Sequence, residues 1–188
     1  MLARLVALLL IACSGSIDAA DAPAAAGERV FVEAVLARLD QSELALARSL
    51  DMDQVIMDNS PHVISTMGGL AERGASLRFD PGAQARANAA DSADFDVALN
   101  QLEVTPLITG NREVRLDMKL NMDAEGSQHS FTKADRFSAS QLKVWDTGLK
   151  TRSGESVVLL VQAMIIESDK DLEQILTRRA ASPAPANP

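Results

Sequence analysis

Between Glu113 and Met122 the chain alternates without a break. Val114, Leu116, Met118, Leu120 and Met122 are apolar, and Glu113, Arg115, Asp117, Lys119 and Asn121 between them are polar or charged. A period of two is the period of a β-strand, so one face of this segment enters a core and the other meets water. A slip of one residue would reverse every side chain, so the pattern also fixes the register of whatever pairs with it. Just upstream, Leu102-Glu-Val-Thr-Pro-Leu-Ile108 reads as the partner, joined through Thr109-Gly-Asn-Arg112, a hairpin signal because Gly and Asn accept positive φ. Val157-Val-Leu-Leu-Val-Gln-Ala-Met-Ile-Ile166 is apolar at both parities, which predicts a central strand covered on both faces. It is too short and too β-branched for a transmembrane helix. Phe137 to Thr147 is expected to pair with it, and Ser153-Gly154 to turn into it.

The remaining segments fit around this sheet. Arg29 to Leu39 is rich in β-branched residues and reads as a strand, with a helix as the open alternative. Asp40-Gln-Ser-Glu43 has the spacing of a capping box, followed by an apolar stripe at Leu44, Ala47 and Leu50 that continues toward Val55 and Ile56 until Asn59-Ser-Pro61 stops it. Ala75 to Asp80 is a short strand closed by Pro81-Gly82, and Ala83 to Asp94, without apolar period, is expected to be a mobile loop. Ser168-Asp-Lys-Asp171 opens a second helix with Leu172, Ile175 and Leu176 on one side and Arg178 and Arg179 in its last turn. The expected fold is α+β: a mainly antiparallel or sandwich-like β core, a helix after the first strand and a short C-terminal helix. One β-rich domain over 29–180 and a disordered tail over 181–188 complete the expectation, with no internal repeat.

The chemistry the chain can carry is bounded by what it lacks. A content of 47% hydrophobic residues sustains a real core, but 3% aromatics, with Trp145, five Phe and no Tyr, is thin for stacking on sugars or bases. A net charge of −8 disfavours nucleic acid by repulsion. A nucleophilic hydrolase needs a base, and the two histidines are His62, in a Pro-bounded loop, and His129, in a polar, turn-like stretch. Gly68-Gly69 lacks the spacing and Lys of a phosphate loop. Asp51, Asp53 and Asp58 lack the glycine turn and terminal Glu of a calcium loop, and Asp91, Asp94 and Asp96 read as loop charges. No catalytic residue, cofactor or metal site is expected.

The N-terminus reads as an export signal: Arg4 precedes the apolar run from Leu5 to Ala12. Leu10-Ile-Ala-Cys13 resembles the lipobox of bacterial lipoproteins, which would make 1–12 the signal and Cys13 the lipidated residue. Cleavage after Ala19, giving a signal of 1–19, is the alternative, with 20–28 a flexible tether. Ser14 after the cysteine implies the outer membrane in the lipoprotein case. Cys13 is the only cysteine, so neither an intramolecular disulfide nor a cysteine-based metal cluster can form.

Three segments, in order, resemble the C-terminal core domain of bacterial secretins, the ring-forming channels of type II and III secretion and type IV pili. Val30-Phe-Val-Glu-Ala-Val-Leu36 is similar to that family's opening V-x-V-E-A-x-I strand. Leu102-Glu-Val-Thr-Pro-Leu-Ile108 is similar to its V-x-P-x-I strand, and Ser153-Gly-Glu-Ser-Val-Val-Leu-Leu160 to its D-G-Q-T-V-V-I-G-G hairpin. Arg38 stands where the first motif carries an acidic residue, and Val161-Gln162 replace the paired glycines. The chain lacks room for the family's periplasmic ring domains and full set of membrane hairpins. The resemblance implies a non-enzymatic, secretin-like envelope module, exported to the periplasm and associating with itself or with another envelope protein. A periplasmic β-sandwich that binds a small ligand or peptide, or a structural outer-membrane lipoprotein, are the alternatives. Export predicts that the intact mass of the chain from cells lacks Met1. Lipid labelling lost in Cys13→Ser would identify the lipoprotein route, and labelling that persists would exclude it.

Overall fold

The computed structural model describes residues 29–48, 52, 54, 62–80, 97–110 and 112–181, the last four by backbone alone. The export segment with Cys13, the tether, most of the expected extension toward Val55 and Ile56, the loop over 83–94 and the tail beyond 181 lie outside the described residues. In order come β1 (Arg29–Leu39), α1 (Gln41–Ala47), β2 (Val63–Glu72), β3 (Leu77–Phe79), β4 (Val97–Gly110), β5 (Glu113–Ala124), β6 (Ser127–Ser138), β7 (Lys143–Lys150), β8 (Ser156–Ile166) and α2 (Asp169–Ala181). All strand pairing is antiparallel, in two sheets ordered β2-β1-β8-β7 and β3-β4-β5-β6.

The sheets pack face to face. Val30, Val32, Ala34 and Leu36 of β1, with Leu159, Val161 and Ala163 of β8, meet Leu102 and Val104 of β4 and the alternating residues of β5 in one apolar cluster. The five apolar residues from Val114 to Met122 are all buried, whereas Glu113, Arg115, Asp117 and Lys119 are exposed. The opposite parity of β1 and β8 is also buried: Val35, Ala37, Leu39, Val158 and Leu160 pack against Ala47 of α1 and Met52. Sheet one is therefore covered on both faces at this end, as the two-parity hydrophobicity of β8 demands. Glu33 falls on that second face and is 5% exposed. It has an interaction partner, as a buried carboxylate requires.

Both helix starts follow their sequence signals. Asp40 Oδ1 accepts hydrogen bonds from Ser42 N at 2.7 Å and Glu43 N at 2.8 Å, and Glu43 Oε2 accepts one from Asp40 N at 2.8 Å. Asp171 Oδ2 accepts from Ser168 N at 2.8 Å, and Ser168 Oγ accepts from Asp171 N at 3.3 Å. Each bond satisfies a backbone donor that the first helical turn leaves unpaired.

One expectation about the strands is corrected. Phe137 to Thr147 is not one strand: Phe137 lies near the end of β6 in the second sheet, the chain turns through Ser140 at φ 69°, and β7 begins at Lys143 in the first. Phe137 and Trp145 face each other across that crossing, ring centres 6.3 Å apart at 75°. Gly68-Gly69 lies within strand β2, and a Cβ on Gly69 would come 3.1 Å from the Phe79 ring, so the glycine lets β2 lie close against β3. In the β4–β5 turn the described left-handed residue is Arg112 at φ 62°.

The two faces of β5 make a direct test. Leu116→Asp buries an unpaired carboxylate, which costs several kcal/mol out of a total stability of roughly 5–15, so the domain should be largely unfolded. Lys119→Asp stays in water and places like charge opposite Glu103, so denaturant midpoints should report a loss of at most ~1 kcal/mol.

Candidate functional site

A polar cluster closes the end of the first sheet where β1 finishes and β8 begins. Four segments meet there. Arg38 comes from the end of β1, Glu43 from the first turn of α1, His62 from just before β2, and Thr151, Ser153 and Glu155 from the β7–β8 turn. The turn is tight because Gly154 takes φ 90°, and Thr151 N–H donates to the Glu155 carbonyl at 2.9 Å.

Glu155 is the hub. Its Oε2 accepts from Ser153 Oγ at 2.6 Å and lies 3.9 Å from Arg38 Nη1. Its Oε1 lies 3.1 Å from His62 Nδ1. That nitrogen is buried and too poorly aimed to form a hydrogen bond, so the contact is one of charge when the ring is protonated. On the other side of the ring, Nε2 is 3.8 Å from Glu43 Oε1. The Ser153 hydrogen bond, then the Arg38 and His62 charges, hold the Glu155 carboxyl below its ordinary value against the opposing effect of burial. Asp40 is likewise lowered, first by its Ser42 hydrogen bond.

This order of groups matters chemically. A serine nucleophile is activated when its hydroxyl donates to an imidazole that a carboxylate orients. Here the carboxylate stands between the hydroxyl and the imidazole, and its lowered pKa makes it a poor base. The geometry is that of a polar clasp joining four segments.

His129 is not in a turn. It lies on β6, opposite Met122, and the two histidines are not brought together. Asp51, Asp53, Asp58, Asp91, Asp94 and Asp96 lie outside the described residues, as does Cys13. Among the described residues no group of three or more His, Cys, Asp or Glu is placed to hold a metal ion. A shallow hollow of about 640 Å³ on the outer face of the second sheet is lined by Asp80, Asn100, Gln101, Asn121, Asp123, Gly126 and Gln128. It is polar and open, unlike the concave apolar pocket that captures a small ligand. The clasp left no local trace in the sequence because its members stand far apart in the chain, at positions 38, 62 and 155.

No family model and no curated protein matches this chain. Among solved structures it is similar to the type II secretion system secretin GspD of E. coli K12, at a TM-score of 0.47 and 8% identity over 81% of this chain and 53% of that one. It is also similar to XcpQ, the type II secretin of Pseudomonas aeruginosa, at 0.45 and 10% over 84% and 63%. ExeD of Aeromonas hydrophila follows at 0.43 and 9% over 81% and 51%. The chain thus spans between half and two thirds of the length of these matches. The likeness is a weak, secretin-like one of overall outline.

Removing the hydroxyl that holds the hub tests the clasp. Ser153→Ala should cost about 1 kcal/mol at neutral pH, as expected for a partly exposed hydrogen bond to a charged group. Glu155 is lowered in the folded state, so this contribution is complete above its unperturbed value of 4.5 and is lost as pH falls through the folded value. Urea melts of both proteins from pH 7 to pH 3 should therefore converge at the acid end. A difference independent of pH would show that the hydroxyl acts through packing instead.

Proposed function

We propose that this chain is a non-enzymatic, secretin-like module of the cell envelope with an accessory or structural role in a secretion- or pilus-type assembly. One observation carries this reading. The second sheet ends on a twelve-residue strand, β6, that is hydrogen-bonded to β5 on one side and to no strand on the other among the described residues. A long open edge presents a row of unpaired N–H and C=O groups and is the standard surface for strand addition. The segments that resemble the secretin core support it: Val30 to Leu36 lies in β1, Leu102 to Ile108 in β4, and Ser153 to Leu160 runs from the turn into β8. They are structural strands rather than loops around a pocket. The arrangement of Ser153, Glu155 and His62 favours a structural over a catalytic role.

In this reading 29–180 forms one domain, held in the periplasm or anchored through Cys13 to the outer membrane. Its partners are proteins. Site-specific photocrosslinkers at Ser130, Thr132 and Ala134 on the open edge, in intact cells, test it. The expected products are adducts with a second copy or with an identified secretion or pilus component, absent when the crosslinker is moved to Lys119. Edge positions that give no adduct while the folded chain is present in the envelope would overturn the proposal.

A further inference from the structure

The first sheet and β3 offer poor edges. β2 and β3 lie against one another at Gly69 and Phe79, β3 is three residues long, and the β7 ladder is broken between Asp146 and Lys150. By contrast β6 runs in unbroken register with β5 from Ser127 to Ser138. Its inward parity carries Phe131, Lys133, Asp135 and Phe137, opposite Leu120, Met118, Leu116 and Val114 of β5. Lys133 is exposed and Asp135 half-buried, and neither makes an ion pair with any described residue. Inward-pointing charges on an edge strand normally guard against indiscriminate pairing.

From this spacing we infer that the partner at the β6 edge is a second copy of the same chain, paired antiparallel about a two-fold axis at Ala134. The inference rests on the reading of β6 as a docking edge. In an antiparallel pair the numbers of opposed residues have a constant sum, and matching hydrogen-bonding parity requires that sum to be even. Centring on Ala134 places Lys133 opposite the second copy's Asp135, and by symmetry Asp135 opposite its Lys133. Phe131 then faces Phe137, Thr132 faces Arg136 and Ser130 faces Ser138, over about nine residue pairs within the strand. A shift by one residue of the centre sets Lys133 against Lys133, or Asp135 against Asp135. The charges that guard the edge therefore admit this register and reject its neighbours, which is specificity by repulsion as much as by attraction. An isologous contact of this kind closes on itself as a dimer with a continuous sheet through both copies.

The test uses the mature full chain extracted from the envelope in mild detergent, with mass followed by sedimentation across concentration. The unaltered chain should form dimers. Lys133→Asp and Asp135→Lys should each weaken the dimer by at least about tenfold, because each sets two like-charged pairs across the axis. Mixing those two variants, or combining both changes in one chain, should restore it, with unchanged circular dichroism throughout. Ala134→Cys should close a symmetric disulfide under oxidation, since that residue faces its own copy. A chain that stays monomeric, or a dimer indifferent to both single reversals, overturns the inference. If the chain is monomeric but β6 still crosslinks to another envelope component in cells, self-pairing fails and the docking reading stands. If it dimerises by the charge rule but no secretion or pilus component is ever captured, the dimer stands and the accessory role fails.

Discussion

Everything in this molecule depends on the pairing of β1 with β8. The two strands run antiparallel in unbroken register from Arg29 opposite Ile166 to Leu39 opposite Ser156. Both are apolar at both parities, with Val30, Val32, Leu36, Leu39 and Val157 to Val161 essentially inaccessible to solvent. Each buried aliphatic side chain contributes about 1.5–3 kcal/mol of gross stabilisation, so leaving either face of this pair wet is not an option. One face is met by the second sheet. The other is met in part by α1, the helix that the Asp40 capping box starts directly after β1. The sandwich and the helix placement are thus two answers to a single burial problem.

The polar clasp at the end of that pair works on a different scale. Its Arg38–Glu155 pair and its two His62–carboxylate contacts, charged only when the ring is protonated, are partly exposed and separated by 3.1 to 3.9 Å, a class of contact that contributes roughly 0–1 kcal/mol each. It cannot rival the core as a source of stability. It joins the β7–β8 turn, the start of α1 and the residue before β2 to the end of β1. Arg38, at the end of β1, lies beside Glu155 of the β7–β8 turn. The basic residue at one site and the acid at the other form a charge pair in this chain.

The strand patterns also explain why one edge stands out. β5 alternates strictly because one face is core and the other water, whereas β6 beside it sets Lys133 and Asp135 between Phe131 and Phe137 on its inward face, and only Phe137 is buried. β6 extends the sheet beyond β5, and among the described residues no strand pairs with its outer side. Its inward Lys133 and Asp135 allow that edge to be long without being indiscriminate.

How much of this was legible follows from where each signal resides. Val114 to Met122, the two-parity run of β8, and the capping boxes at Asp40 and Ser168 are local patterns, set by side-chain period and by short-range hydrogen bonding, and the fold honours all of them. β6 left almost no trace because an exposed edge strand has no hydrophobic alternation to show, so His129 looked like part of a turn. β2 was hidden by Gly68-Gly69, and the need for the second glycine is set by Phe79 across the sandwich. The break between Phe137 and Trp145 follows from the chain changing sheets, which no local preference encodes. The clasp of Arg38, Glu43, His62 and Glu155 was likewise invisible. The sequence by itself determined which segments are buried and on how many faces, because burial is written in the period of the side chains. Only the tertiary structure decided which strands are neighbours, which charges meet and which edge has no partner strand among the described residues, because those depend on contacts between residues far apart in the chain.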